Sequence, residues 1–421
     1  MSAREGWLDW LRNAPRPARR ALLAAWLGWA LDGFDVMLYA LVLGTLIGDL
    51  ALSKATAGLL GSLTLVAAGI GGVLFGLMAD RWGRRPALVG SLWVYSVFTF
   101  ACGLTRSVWQ LGVCRFLLGV GMGGEWTSGA ALVSESFSEA HRGRAMGLMQ
   151  SAWSVGYAAA ALVVAVVLPR FGWRAVFFVG LAPAFVALWM RRGIDESPQW
   201  TGARTRQPSL HGPLAAIFSP QYFAWTALLT ALGATLIFSY WGMNLWLPAY
   251  FSLPQSQGGL SLSTGTATLL VILTQVGTFL GYLSFGVVAD TIGRRRSFVM
   301  FLLLGSVLVL AFGFTRNLWA LIVLAPAATF FSTGVFSGFG AVTAELYPTA
   351  IRATAQGFTY NAGRFVSAFS PYIVGSLAEA RGFGVAFALV AAALLLGAAT
   401  WLGLPESMGR ESEPRRTLAA S

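Results

Sequence analysis

The residues able to do chemistry in this chain are few, and they sit inside runs that are otherwise apolar. Asp32 and Asp35 lie in WALDGFDVMLY, Arg115 and Glu125 in RFLLGVGMGGEW, and Arg364 stands alone in NAGRFVSAFSP. An ionisable group in such a run is costly to bury and marks a functional position by default. Residues three apart on a helix project from nearly one face, so the two aspartates form a pair, and Tyr39 continues that face one turn on. A carboxylate in a low-dielectric setting exchanges a proton readily near neutral pH. The fork of an arginine holds a carboxylate through two parallel hydrogen bonds. Asn361 shares the face of Arg364, and Tyr360 adjoins it. The chemistry these types offer is proton exchange beside anion binding.

Each assignment has a structural competitor. Asp35 is the first choice for a proton site because it lies further from the basic N-terminal arm, whereas Asp32 has the alternative of holding an arginine. Arg115 and Glu125, ten residues apart, are about 15 Å apart along a helix and about 80° apart around it. For Glu125, proton coupling and pairing with an arginine are equally open. Arg115 and Arg364 suit an anion, or a buried acid of the first half. Tyr39, Trp126, Trp153, Tyr157, Tyr240, Trp241, Asn244, Gln275 and Tyr360 carry polar tips in apolar surroundings and complete the candidate lining.

These residues need helices that cross a bilayer. Of 421 residues, 56% are hydrophobic and only 11% charged, against roughly 25% charged in ordinary soluble domains. Apolar runs long enough to span a membrane recur along the whole chain. The expected spans are Ala21–Leu46, Ala57–Ala79, Pro86–Leu104, Val108–Ser134, Ala145–Leu168, Ala175–Met190, Gln221–Leu247, Thr264–Ala289, Ser297–Phe314, Leu318–Thr343, Thr354–Leu377 and Gly382–Leu402. That makes an arm over 1–20, a six-helix bundle over 21–190, a linker over 191–220, a second bundle over 221–404 and a tail over 405–421. The fold class is all-α integral membrane. The net charge of +12 gathers on one side, which by the positive-inside rule places both termini and the basic turns in the cytoplasm. That distribution argues against nucleic acid as a partner. No cleavable leader is expected, since Arg16, Arg19 and Arg20 precede an apolar run that continues as a helix. Cys102 and Cys114 suggest no disulfide or metal framework.

The halves are copies. Residues 75–88 read FGLMADRWGRRPAL and residues 285–298 read FGVVADTIGRRRSF, an offset of 210. The same offset carries Glu135, Arg142 and Gly147 to Glu345, Arg352 and Gly357. Such a repeat in a membrane chain predicts a substrate site between two equivalent halves. In each turn a glycine (Gly76, Gly286) lets helices approach, an aspartate (Asp80, Asp290) ends the helix, and a second glycine (Gly83, Gly293) makes the turn. The pairs Arg84, Arg85 and Arg294, Arg295 follow. A single basic turn reads as a topology anchor. Two aspartates at one repeat position point to a conformational latch, with Glu135, Arg142, Glu345 and Arg352 extending its charge network.

G-x-x-x-D-x-x-G-R-R at both turns resembles the signature loop of the major facilitator superfamily, and Arg115 matches that superfamily's fourth-helix arginine. The likeness covers the whole chain and implies two six-helix bundles, a central cavity and alternating access. LGWALDGFD, GGEWTSGAALVSES, GWRAVFF and DESPQW are similar to the proton symporters for sialate and lactate-type carboxylates, with the aromatic-acid symporters as near relatives. By that resemblance Asp32, Asp35 and Glu125 carry the acid motifs, while Trp241-Gly242 stands where an acidic pair of the seventh span would be. The expectation is a monomeric inner-membrane symporter of protons with a small organic acid anion: a monocarboxylate, sialate or aromatic acid. A proton antiporter exporting a small molecule and a sugar or osmolyte symporter are the alternatives. A membrane sensor would need an output domain. No enzyme is expected: no catalytic constellation or phosphate-binding loop appears, and His141 and His211 fit no metal-ligand spacing. Neither cofactor nor metal is implied.

Overall fold

Lipid offers no hydrogen bonds to a backbone, so each apolar run must close its own as a helix. The computed structural model obeys this, and no strand occurs among the described residues, which are 9–137, 139–182, 184–185 and 211–407. The first half contains α1 (Asp9–Arg12), α2 (Arg16–Asp49), α3 (Lys54–Trp82), α4 (Arg84–Cys102), α5 (Val108–Ser136) and α6 (Glu139–Val179). The second contains α7 (His211–Ile217), α8 (Phe223–Asn244), α9 (Leu247–Ser252), α10 (Thr264–Ile292), α11 (Arg294–Phe314), α12 (Leu318–Gly334), α13 (Phe336–Leu346), α14 (Thr349–Ser367), α15 (Ser370–Arg381) and α16 (Phe383–Thr400). Among the described residues, eight helices are long and apolar enough to cross a bilayer unaided. The side chains of Asp80, Arg84, Arg85, Glu125, Trp126, Glu135, Arg142 and Arg352 lie outside the described residues.

Several spans differ in detail from the expectation. The first begins at Arg16, with proline in its first turn, a position where the missing N–H costs nothing. The seventh is broken between α8 and α9 ahead of Pro248, and the eleventh between α14 and α15 ahead of Pro371. A proline ring clashes with the preceding turn, so the chain restarts there. The tenth breaks at Val335 between α12 and α13. The fifth span passes into the sixth without a loop, reorienting at Gly172 with φ of 74°.

The two ends of the molecule are built differently, and both differences repeat. At one end the helices start on polar caps. Ser53 accepts from the Thr56 N–H and Ser263 from Thr266; Ser107 accepts from Gln110 and Asn317 from Ala320. The caps fall in pairs at the 210-residue offset, each contributing about 1 kcal/mol. At the other end α4 and α11 start on Gly83 and Gly293, with φ of 115° and 95° and no side-chain cap. Only glycine adopts that backbone without strain.

Contact between the halves is also uneven. At the capped end the Lys54 ammonium donates to the carbonyls of Gln257 (2.6 Å) and Ala378 (3.4 Å). There the Ala55 N–H donates to Glu379 (3.0 Å) and the Tyr372 N–H to Ser62 (3.2 Å). A side chain at Gly58 would collide with the Pro371 carbonyl. Toward the basic turns, Gly76, Gly147, Gly286 and Gly357 face open space instead.

Candidate functional site

Where the halves meet, α2, α5, α6, α8, α10, α13 and α14 enclose an aromatic cavity. Its walls are Trp29, Trp153, Tyr240, Trp241, Tyr282, Phe336 and Tyr360, with Met122, Gln150, Ile237 and Arg364 completing them. Trp153 is the hub: its ring lies 4.7 Å from Trp29, 6.2 Å from Tyr240 and 6.0 Å from Trp241. Its indole N–H donates to the Tyr240 hydroxyl and ties α6 to α8 across the interface. The free volume is about 40 Å³, little more than the share of one water molecule in the liquid. The walls must therefore part to admit a solute.

Arg364 is the cation of this lining. It is 7% exposed, yet its guanidinium makes no hydrogen bond or ion pair among the described residues. The Tyr360 hydroxyl and the Asp32 carboxylate share its electrostatic field. Burying a cation without a bonded partner is costly. The site therefore offers an anion five donors in an apolar, aromatic setting.

A second polar group lies within the first half. Asp32 and Asp35 are fully buried, and neither carboxylate accepts a hydrogen bond. Asp35 neighbours Asp32, Thr99 of α4 and Cys102. Arg115 is 1% exposed and stacks on the Tyr39 ring at 3.9 Å, with Nε and Nη1 unbonded. Stacking of this kind contributes about 2 kcal/mol when desolvated. The Tyr39 hydroxyl donates to the Ala57 carbonyl at 2.8 Å. Arg115 and Tyr39 thus face each other inside the bundle and do not line the cavity. Arg364 and Tyr360 do line it, while the Asn361 amide donates to the Gly357 carbonyl at 2.9 Å. Glu125 falls among the side chains that are not described.

The turn of the second half forms a closed network. Arg294 bonds Asp290 at 2.6 Å and Glu345 at 3.0 and 3.2 Å. The Arg294 and Arg295 N–H groups donate to Glu406, and the Ser407 hydroxyl donates to Glu345. Glu406 and Ser407 were not anticipated, though a signal was present. GLPES at 403–407 stands 210 residues after GIDES at 193–197. Gln150 was likewise missed, and its repeat mate is the cavity residue Tyr360. Of the first turn, Gly76 and Gly83 are described; its charged side chains, with Glu135, Arg142 and Arg352, are not.

Helices that span a bilayer around a closed central cavity, with basic turns repeated in both halves, define a solute carrier. The chain belongs to the Major Facilitator Superfamily, whose family model matches residues 25–284 and 249–420. It is similar to the cis,cis-muconate transport protein of Acinetobacter baylyi, at 32% identity over 89% of this chain and 91% of that one. It is also similar to the sialic acid transporter NanX of Escherichia coli, at 29% identity over 91% and 93%. A crystal structure of a bacterial homologue of the human lysosomal transporter Spinster superposes with a TM-score of 0.73 at 18% identity, covering 93% of this chain and 98% of that one. That likeness is one of fold: two six-helix bundles in an all-α membrane protein. The chain is a multi-pass membrane transporter, not an enzyme.

Proposed function

We propose that this transporter moves a small organic acid anion together with protons across the bacterial inner membrane, as a monomer with its basic turns in the cytoplasm. The observation that carries the anion is Arg364, buried in the cavity wall with no bonded partner of its own. Relatives named for muconate and sialic acid agree with a carboxylate cargo. The aromatic walls favour a planar, unsaturated acid, since a flat ring or conjugated chain stacks on them.

Protons enter through the acids of the first half. Asp32 and Asp35 have no bonded counter-ion, and closing a dry cavity over a bare charge is costly. Proton uptake on Asp35, with Asp32 or Glu125 as partners, neutralises the first half. The anion neutralises Arg364, aided by Tyr360, and Asn361 braces the α14 turn beside it. Arg115 and Tyr39 hold α5 against α2 behind the acids. The loaded carrier therefore reorients more easily than a half-loaded one. In the arrangement seen here the Lys54 end is shut, and the load leaves by the end bearing the basic turns. The Asp290–Arg294–Glu345 network latches the reorientation in the second half. Asp80, Arg84, Arg85, Glu135 and Arg142 supply its counterpart in the first, and Arg352 adjoins the second.

The test is uptake into proteoliposomes of labelled muconate, benzoate, nicotinate, lactate, sialate and a neutral sugar, with and without an inward proton gradient. The expected result is uptake of a planar acid, enhanced by the gradient. Export of a compound against the gradient with no acid uptake would overturn the symport reading in favour of an antiporter.

A further inference from the structure

Outside the transport path, a groove of about 1190 Å³ runs along the outer flank of the second half, between α11 and α16. Met300 and Leu303 on α11, Leu395 and Ala399 on α16 and Leu402 just past its end line it, and all five are exposed. The spacing runs in steps of three and four residues on both helices, so each contributes one continuous stripe. From Arg296 to Leu303 the stripe descends about 10 Å at 1.5 Å per residue. Since α11 spans the bilayer, that descent enters the hydrocarbon. At the mouth stand Arg295 and Arg296, both exposed.

Neither guanidinium makes an ion pair or hydrogen bond among the described residues. The backbone N–H of Arg295 is already taken by Glu406, so the helix N-terminus is satisfied and the side chains are left for a ligand. The first half is not equipped in this way. At the 210-residue offset Arg295 answers to Arg85, but Arg296 answers to Pro86.

We propose that this groove binds an anionic glycerophospholipid, with the phosphate on Arg295 and Arg296 and an acyl chain along the α11–α16 stripe. Charge complementarity selects the occupant. A paired arginine mouth suits a phosphate, and an apolar channel opening into the bilayer suits its chain. Glu406 disfavours a dianionic free phosphate at the same mouth while leaving room for a phosphodiester's single charge. Bound there, the lipid braces α11 beside the Arg294 network.

The experiment uses the full chain reconstituted in phosphatidylcholine vesicles containing phosphatidylglycerol. It is then extracted into mild detergent, and retained lipid is read by native mass spectrometry. Wild type is expected to retain one phosphatidylglycerol in preference to phosphatidylcholine. Arg295→Gln with Arg296→Gln should lower that preference about tenfold. Ala399→Trp, which fills the groove without altering charge, should lower it as well. Arg19→Gln with Arg20→Gln removes equal charge from exposed residues of α2 and should leave the preference intact. Equal loss in the Arg19/Arg20 pair, no effect of Ala399→Trp, or displacement by inorganic phosphate alone would overturn the proposal.

Discussion

The two halves of this transporter agree at their ends and disagree in their middles. At the ends the repeat is close: Ser53 answers to Ser263, Ser107 to Asn317, Gly83 to Gly293 and Asp80 to Asp290. In the membrane interior the same register sets Asp32 against Gly242, Asp35 against Leu245, Arg115 against Ala325, and Arg364 against Ser154. Caps and turns shape the helix ends, which each half needs alike. The charges are chemical parts, and each occurs once. The acid pair and the fork that faces the cavity lie in different halves, since Arg115 of the first half is stacked on Tyr39 instead. On the proposed mechanism, anion and proton meet only where the halves face each other.

Variants that erase this asymmetry should have the largest effects. Arg364→Gln removes charge and fork together. A charge-assisted pair contributes about 3 kcal/mol, so apparent affinity for the acid should fall about 100-fold. Arg364→Lys keeps the charge and should lose about tenfold, both read from uptake at varied concentration. An unchanged apparent affinity in Arg364→Gln would remove the second half from anion binding.

The contact between the halves is tested next. Gly58→Val places a branched side chain against the Pro371 carbonyl. It should hold the Lys54 end ajar, raising labelling of a Ser62→Cys reporter by a membrane-impermeant maleimide several-fold. Gly286→Val meets open space and should leave that labelling unchanged. Smaller still is the contrast within the second turn. Glu345 is only 17% exposed and bonds Arg294 and Ser407, whereas Asp290 is 70% exposed. Solvent screening weakens exposed pairs, so Asp290→Asn should cost about 0.5 kcal/mol or less. Glu345→Gln should cost about 1–2 kcal/mol, read as a lower thermal midpoint in detergent.

What the sequence made legible follows from how local each feature is. The turns were spelled out twice, because a positive-φ glycine and its flanking charges act within one short segment. Arg364 was visible as a lone cation in an apolar run. The stacking of Arg115 on Tyr39 depends on how α2 and α5 pack, and residue spacing along one helix carries no such information. The loss of the Tyr39 hydroxyl to Ala57 is likewise a contact between helices. The breaks before Pro248 and Pro371 are local features set by the prolines themselves. The run from α6 through Gly172 looked like a loop because Pro169 and glycine commonly end helices. Glu406 was hidden by distance along the chain, since its role appears only when the tail folds back on α11.

The division of labour is tested most directly by comparing gradient-driven uptake with counterflow in two variants. Counterflow exchanges labelled for unlabelled acid and needs no net proton release. The account predicts that Asp35→Asn abolishes uptake driven by an inward proton gradient while retaining counterflow, and that Arg364→Gln loses both. Loss of both activities in Asp35→Asn with intact folding, or counterflow retained in Arg364→Gln, would contradict the assignment of the proton to one half and the anion to the other.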